Sequence, residues 1–70
     1  MKLLFLFERP DSIKVKNTLE EPSEVFLPKS QILVDGEYGD AFDYDMLIMG
    51  DEIDVSVPEW LIQKIGWSYD

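Results

Sequence analysis

The sequence predicts a small, mainly β domain with one short C-terminal helix. Its strands would form a strongly bent antiparallel sheet or a partly open small barrel of about five strands. Three observations carry this reading. Short apolar or alternating runs recur through residues 3–57, separated by Pro, Gly and acidic turns. One segment, Pro58 to Gly66, carries helix punctuation. The chain has 70 residues, 46% of them apolar, with four Phe, three Tyr and two Trp. That is enough for one thin core and too little for two domains. Residues 1–70 are therefore read as one domain, with 1–57 β-rich, 58–66 a short helix and 67–70 a tail.

Leu3 to Phe7 is apolar on both faces, as a central strand requires. Glu8-Arg9-Pro10-Asp11 turns the chain. Ser12 to Lys16 alternates, with Ile13 and Val15 toward the core and Lys14 and Lys16 toward water. Residues 17–23 form a polar connection. Val25-Phe26-Leu27 is a strand stopped by Pro28, which has no N–H for a ladder. Ile32-Leu33-Val34 resumes an extended run, and Asp35 to Asp40, with Gly36 and Gly39, reads as a loop. Tyr44 to Met49 reads as a further strand, and Met49-Gly50-Asp51-Glu52 as a hairpin turn. Ile53, Val55 and Val57 then alternate with Glu52, Asp54 and Ser56, a half-buried strand with an acidic outer face.

The helix has Pro58 at its first position, Glu59 at its positive end and Lys64 at its negative end. Gly66 is placed as the left-handed residue that ends it, with Trp67 packing back on Ile62. So short a helix does not persist alone. Trp60, Leu61, Ile65 and Trp67 are therefore expected to dock on the sheet.

Charge sets the functional question. Fifteen acidic side chains face six basic ones, with no His, for a net charge of −9. The first 30 residues balance, five against five, so residues 31–70 carry the whole excess. Between Asp35 and Glu59 there are nine carboxylates and no cation. Tyr38, Phe42 and Tyr44 interleave with Glu37, Asp40, Asp43 and Asp45. On strands, Asp43/Asp45 and Glu52/Asp54 would each share a face about 6.5–7 Å apart. The candidate binding face is thus Asp35, Glu37, Tyr38, Asp40, Asp43, Tyr44, Asp45, Asp51, Glu52 and Asp54. Such a face complements an Arg- and Lys-lined groove. The plainer alternative is a solvated acidic surface.

Other classes are disfavoured. Without Cys there are no disulfides and no thiolate chemistry, which favours a reducing cytoplasm. Without His the commonest general base and metal ligand is missing. No calcium-loop pattern and no phosphate-binding glycine loop is present, so no metal, no cofactor and no catalytic residue is assigned. The chain is not read as an enzyme. The opening apolar run is too short for a signal peptide and nothing is long enough to span a membrane. Direct nucleic-acid or membrane binding is disfavoured by charge. Arg9, Lys14, Lys16 and Lys29 read as solvent-facing, or as a small nucleic-acid face. A thin core with apolar edge strands leaves room for a homodimer.

Two segments resemble known strings. Val25-Phe26-Leu27-Pro28-Lys29-Ser30-Gln31-Ile32 resembles the W-L-P-K-S-Q-I signature of small phage and mobile-element proteins. Gly50 to Leu61, with Lys64-Ile65-Gly66-Trp67, resembles their V-x-x-P-E-W-L-x-x-K-x-G-L element. Phe26 stands where Trp is usual and Trp67 where Leu is usual. The resemblance implies a phage or mobile-element origin and a small β-rich fold, and brings no assigned activity. Charge and resemblance together point to a phage-encoded acidic protein bound to a basic surface of a host nucleic-acid-handling or defence protein. It would act as a nucleic-acid mimic or an anti-CRISPR-like inhibitor. An accessory nucleic-acid-binding module of phage metabolism is the alternative.

Overall fold

One wholly apolar run and two alternating runs, near the two ends of the chain, build the middle of one sheet. The computed structural model describes residues 1–68. Its strands are β1 (Lys2–Glu8), β2 (Ser12–Lys16), β3 (Glu24–Pro28), β4 (Leu33–Val34), β5 (Glu37–Tyr38) and β6 (Glu52–Ser56), followed by helix α1 (Glu59–Ile65). The strands form one antiparallel, curled sheet in the order β3-β2-β1-β6-β4-β5. It does not close, since β3 and β5 are its free edges. The mainly β reading holds, and two local readings change. Glu37–Tyr38, read as loop, is a strand, because Asp35 (φ 49°) and Gly36 (φ 84°) make a two-residue turn that pairs Val34 with Glu37. Two central residues with positive φ match the twist of a hairpin, and Asp-Gly suits them. Tyr44–Met49, read as strand, is instead a 3-10 turn at Tyr44–Met46 followed by a tight turn.

The centre of the sheet contains one irregularity with large consequences. β1 pairs Phe5 with Val15, then Phe7 with Lys14, so Leu6 is an extra residue and β1 bulges. A bulge shifts the inside–outside alternation by one. Phe7, which strict alternation from Leu3 and Phe5 would bury, turns outward. Glu8 is paired with Ile13 on the inner side instead.

One cluster fills the concave side: Leu3, Phe5, Ile13, Val15, Leu27, Ile32, Val34, Tyr44, Ile53, Val55, Leu61, Ile62 and Trp67. α1 contributes Leu61 and Ile62 fully and Ile65 partly, whereas Trp60 is 52% exposed. The expected docking of Trp60 does not occur, because residues 61, 62 and 65 define the inward stripe of so short a helix. Pro58 lies just before the helix, and its carbonyl accepts from the N–H groups of Leu61 and Ile62 at 3.0 and 3.1 Å. Gly66 is left-handed (φ 96°), and the N–H groups of Gly66 and Trp67 donate to the Ile62 carbonyl at 3.0 and 3.1 Å. The second of these bonds is the long one of a Schellman cap. Trp67 is buried rather than part of a tail, and its indole N–H donates to the Pro22 carbonyl at 2.6 Å. Tyr69 and Asp70, the rest of the expected tail, lie outside the described residues. Among those described, no helix is long and apolar enough to cross a membrane.

Two glycines serve different ends. A methyl on Gly66 meets nothing within 4 Å, so only the left-handed backbone resists it. Gly39 has no positive φ, but a Cβ there would lie 2.2 Å from the Lys29 carbonyl oxygen. Gly66→Ala is expected to cost about 1 kcal/mol. Gly39→Ala, which must move backbone, is expected to cost about 3 kcal/mol. Urea midpoints at constant m-value separate the two, and equal losses would contradict the close approach at Gly39.

Candidate functional site

The acidic segment folds back across the sheet in three pieces, and each piece disposes its carboxylates by local backbone chemistry. The first is the β4–β5 hairpin. Asp35 at its tip donates its N–H to the Asp54 carbonyl (2.8 Å), and its Oδ1 accepts from the Asp54 N–H (3.1 Å). Asp35 therefore ties the hairpin to β6. Glu37 and Asp40 are exposed, and Tyr38 is 77% exposed.

The second piece begins at Gly39, whose N–H donates to Ile32 O at 2.9 Å. The carbonyl of Tyr38 then accepts from Ala41 and Phe42, starting a turn. Asp43 caps the 3-10 turn, its Oδ1 accepting from the Asp45 N–H at 3.0 Å. A short acidic side chain bonding two residues onward is a common way to start a turn. Asp43 and Asp45 are both exposed, but around a turn and not along one strand face as expected. Tyr44, placed on the binding face by sequence, is in the core. Its ring stacks on Phe5 (6.1 Å, 16°) and meets Phe42 edge-on (4.9 Å). Its hydroxyl donates to the Gly39 carbonyl at 2.8 Å. An amphipathic ring with a backbone partner is well suited to burial, and this location removes Tyr44 from any contact surface.

The third piece is the turn at residues 48–51 and strand β6. The N–H of Asp51 donates to Ile48 O (3.1 Å), and the Asp51 Oδ2 accepts from the Ile48 N–H (3.0 Å). Asp51 thus holds its own turn. The Gly50 N–H donates to Phe5 O and the Phe5 N–H to Asp51 O, each at 2.7 Å, so the turn is fastened to β1. Glu52 and Asp54 lie on the outer face of β6, as expected, opposite Leu4 and Lys2.

Cations are spent elsewhere. Of the nine carboxylates from Asp35 to Glu59, only Asp54 has a cation within 4.0 Å among the described residues. Its partners are the terminal ammonium (3.3 Å) and Lys2 (4.0 Å). Glu37, Asp40, Asp45 and Glu52 also accept no side-chain hydrogen bond among the described residues. Lys29, read as solvent-facing, is buried, because the bulged β1 presents Glu8 to its ammonium. That ammonium also donates to Pro10 O (3.3 Å) and sits 4.9 Å from the Tyr44 ring centre. Lys14 pairs with Glu24 (3.4 Å) and lies over Phe26, which Arg9 also covers at 4.3 Å.

Sequence reasoning missed three residues. Met46, Ile48 and Met49 are each about 70% exposed, in the middle of the acidic segment. Their run looked like a strand. The cue against it was Asp43, two residues before an N–H it can accept, with Gly50 closing the segment.

Among the described residues, no group of three or more acidic side chains is arranged to hold a metal ion. An open groove of about 630 Å³ lies between the start of β1, the β2–β3 connection at residues 17–20, the end of β6 and Ile62 of α1, and none of the ten candidate residues lines it. Comparisons with protein-family models, curated proteins and solved structures find no match.

Burial pushes the Tyr44 phenol up from 10.0 to about 12, with smaller contributions from the charges of Glu8 and Asp40. Below pH 10 the phenol is protonated whether folded or not. Between pH 10 and 12 the folded chain holds the proton more tightly, so stability falls as pH rises through that window. Thermal melts from pH 9 to 12 are expected to show that fall. It should be smaller in Tyr44→Phe, and an identical slope in both proteins would contradict the assignment.

Proposed function

We propose that this chain is a small acidic binding protein that occupies a basic groove on a partner which itself handles nucleic acid. It acts there as a nucleic-acid mimic or an anti-CRISPR-like inhibitor. The observation that supports this reading is the set of exposed carboxylates without cations, above all Glu37, Asp40, Asp45 and Glu52. The fold uses Asp35, Asp43 and Asp51 to shape backbone, yet those four make no such bond among the described residues. Uncompensated like charges on so small a fold work against the compact state. A basic partner relieves that repulsion and is drawn in by it, with an association rate that falls with salt. Exposed Tyr38 adds an aromatic of the kind enriched at interfaces. The likeness to phage and mobile-element strings supports a cytoplasmic host partner.

A second reading rests on the other end of the sheet. Phe7 and Phe26 are half-exposed and edge-on at 5.8 Å, with Arg9 and Lys14 over Phe26. Stacking rings beside cations suit single-stranded nucleic acid. The inward-facing Lys29 and the Lys14–Glu24 pair leave few charges for it, so this reading ranks second.

Reversing Glu37, Asp40, Asp45 and Glu52 to Lys tests the first reading. Melting temperature is expected to hold or rise. A host protein captured by the native chain at low salt, and displaced by excess duplex DNA, should be lost by at least 100-fold in affinity, about 2.8 kcal/mol. Capture that survives the reversal or the DNA contradicts the reading. A gel shift with single-stranded probes at low salt, abolished by Arg9→Glu, would favour the second.

A further inference from the structure

The turn at residues 48–51 carries more than charge. It has the i to i+3 bond from Asp51 N–H to Ile48 O, and its third residue, Gly50, has φ 95°. A positive φ at that position belongs to a type II turn, which favours Gly there. Ile48 and Met49 therefore occupy its first two positions. Met46 ends the preceding 3-10 turn, and half-buried Leu47 anchors the link between the two turns against the core. The backbone is fastened at both ends, by Leu47 N–H to Tyr44 O (3.0 Å) and by the Gly50 and Asp51 bonds to Phe5. Three large apolar side chains are thus held out into water by a turn that has no need of them. Asp43, Asp45 and Glu52 flank them in the chain.

We infer that Met46, Ile48 and Met49 form an apolar anchor that enters a hydrophobic pocket rimmed by Lys or Arg on the partner. This inference rests on the acidic face being a partner surface, and it names what the centre of that surface recognises. Imitation of a nucleic acid alone would call for carboxylates and rings. An apolar centre with a charged rim is the anatomy of a protein–protein contact. Flexible, polarisable Met fills irregular pockets well. Holding the anchor rigid beforehand limits the entropy lost on binding. The exposed carboxylates that flank the three residues in the chain commit the occupant to a basic protein surface rather than to a lipid surface or a second copy of this equally acidic chain.

Methyl-labelled methionine makes the test direct. Two probes are titrated: an amphipathic Leu/Lys helical peptide and an oligolysine of equal charge. Both are expected to shift the amides of Asp45 and Glu52 and to weaken with salt. Only the Leu/Lys peptide should move the methyls of Met46 and Met49, and it should bind about tenfold more tightly, since one well-buried apolar side chain suffices for that. The triple variant M46S/I48S/M49S should lose the tenfold excess and keep its oligolysine affinity and melting temperature. Unmoved methyls, or a variant that binds the Leu/Lys peptide like the native chain, would overturn the anchor while leaving the acidic face in place. Methyl shifts that track protein concentration alone would overturn it in favour of a second copy. Binding of neither peptide would remove the acidic face, and the anchor with it.

Discussion

The rest of the structure depends on satisfying one buried ammonium. Lys29 points inward, and an unpaired cation there would cost several kcal/mol. Its partners come from two separate stretches of chain. Glu8 reaches it because β1 carries an extra residue at Leu6. Pro10 offers a carbonyl from the following turn, and Tyr44 offers the face of its ring. The backbone of Lys29 adds a further demand, since its carbonyl lies where a side chain at residue 39 would stand. The hairpin must cross there as glycine, and the Gly39 carbonyl then receives the Tyr44 hydroxyl. The neutral first part of the chain and the acidic second part are joined at this point.

That junction explains what the sequence disclosed and what it hid. β2 and β6 were legible because one face of each is buried and the other wet, so polarity follows a period of two. The helix end was legible because Gly66 and Trp67 carry a cap signal that works locally. The bulge was not legible: five consecutive apolar residues, Leu3 to Phe7, leave no polarity pattern to reveal a slipped phase. Lys29 was misread because a lone Lys between Pro28 and Ser30 looks like surface, and its partner is 21 residues away. Tyr44 was misread because its neighbours are acidic and exposed while it alone turns in. The candidate face was legible as composition. The separate duties of Asp35, Asp43 and Asp51 were not, since each is decided by a backbone N–H whose position only the folded chain sets. The Asp35-Gly36 hairpin was the one missed feature with a strong local signal.

Charge is distributed by use. On the β1–β2–β3 side, Lys14 and Lys29 meet carboxylates and Arg9 lies over Phe26, and that side is close to neutral. On the β4–β5–β6 side, carboxylates shape turns or face water, and ion pairing among the described residues stops at Asp54. The molecule therefore has a strong electrical asymmetry across a Cα radius of gyration of only 10.9 Å. An approaching basic surface feels an orienting torque before any contact forms, which narrows the set of encounters that lead to docking.

The turn at residues 48–51 is specified by main-chain bonds, one glycine and one aspartate, and none of those bonds involves its outward apolar side chains. A lineage built on this frame can change the chemistry that this turn shows to water one codon at a time, without first acquiring compensating changes in its thin core.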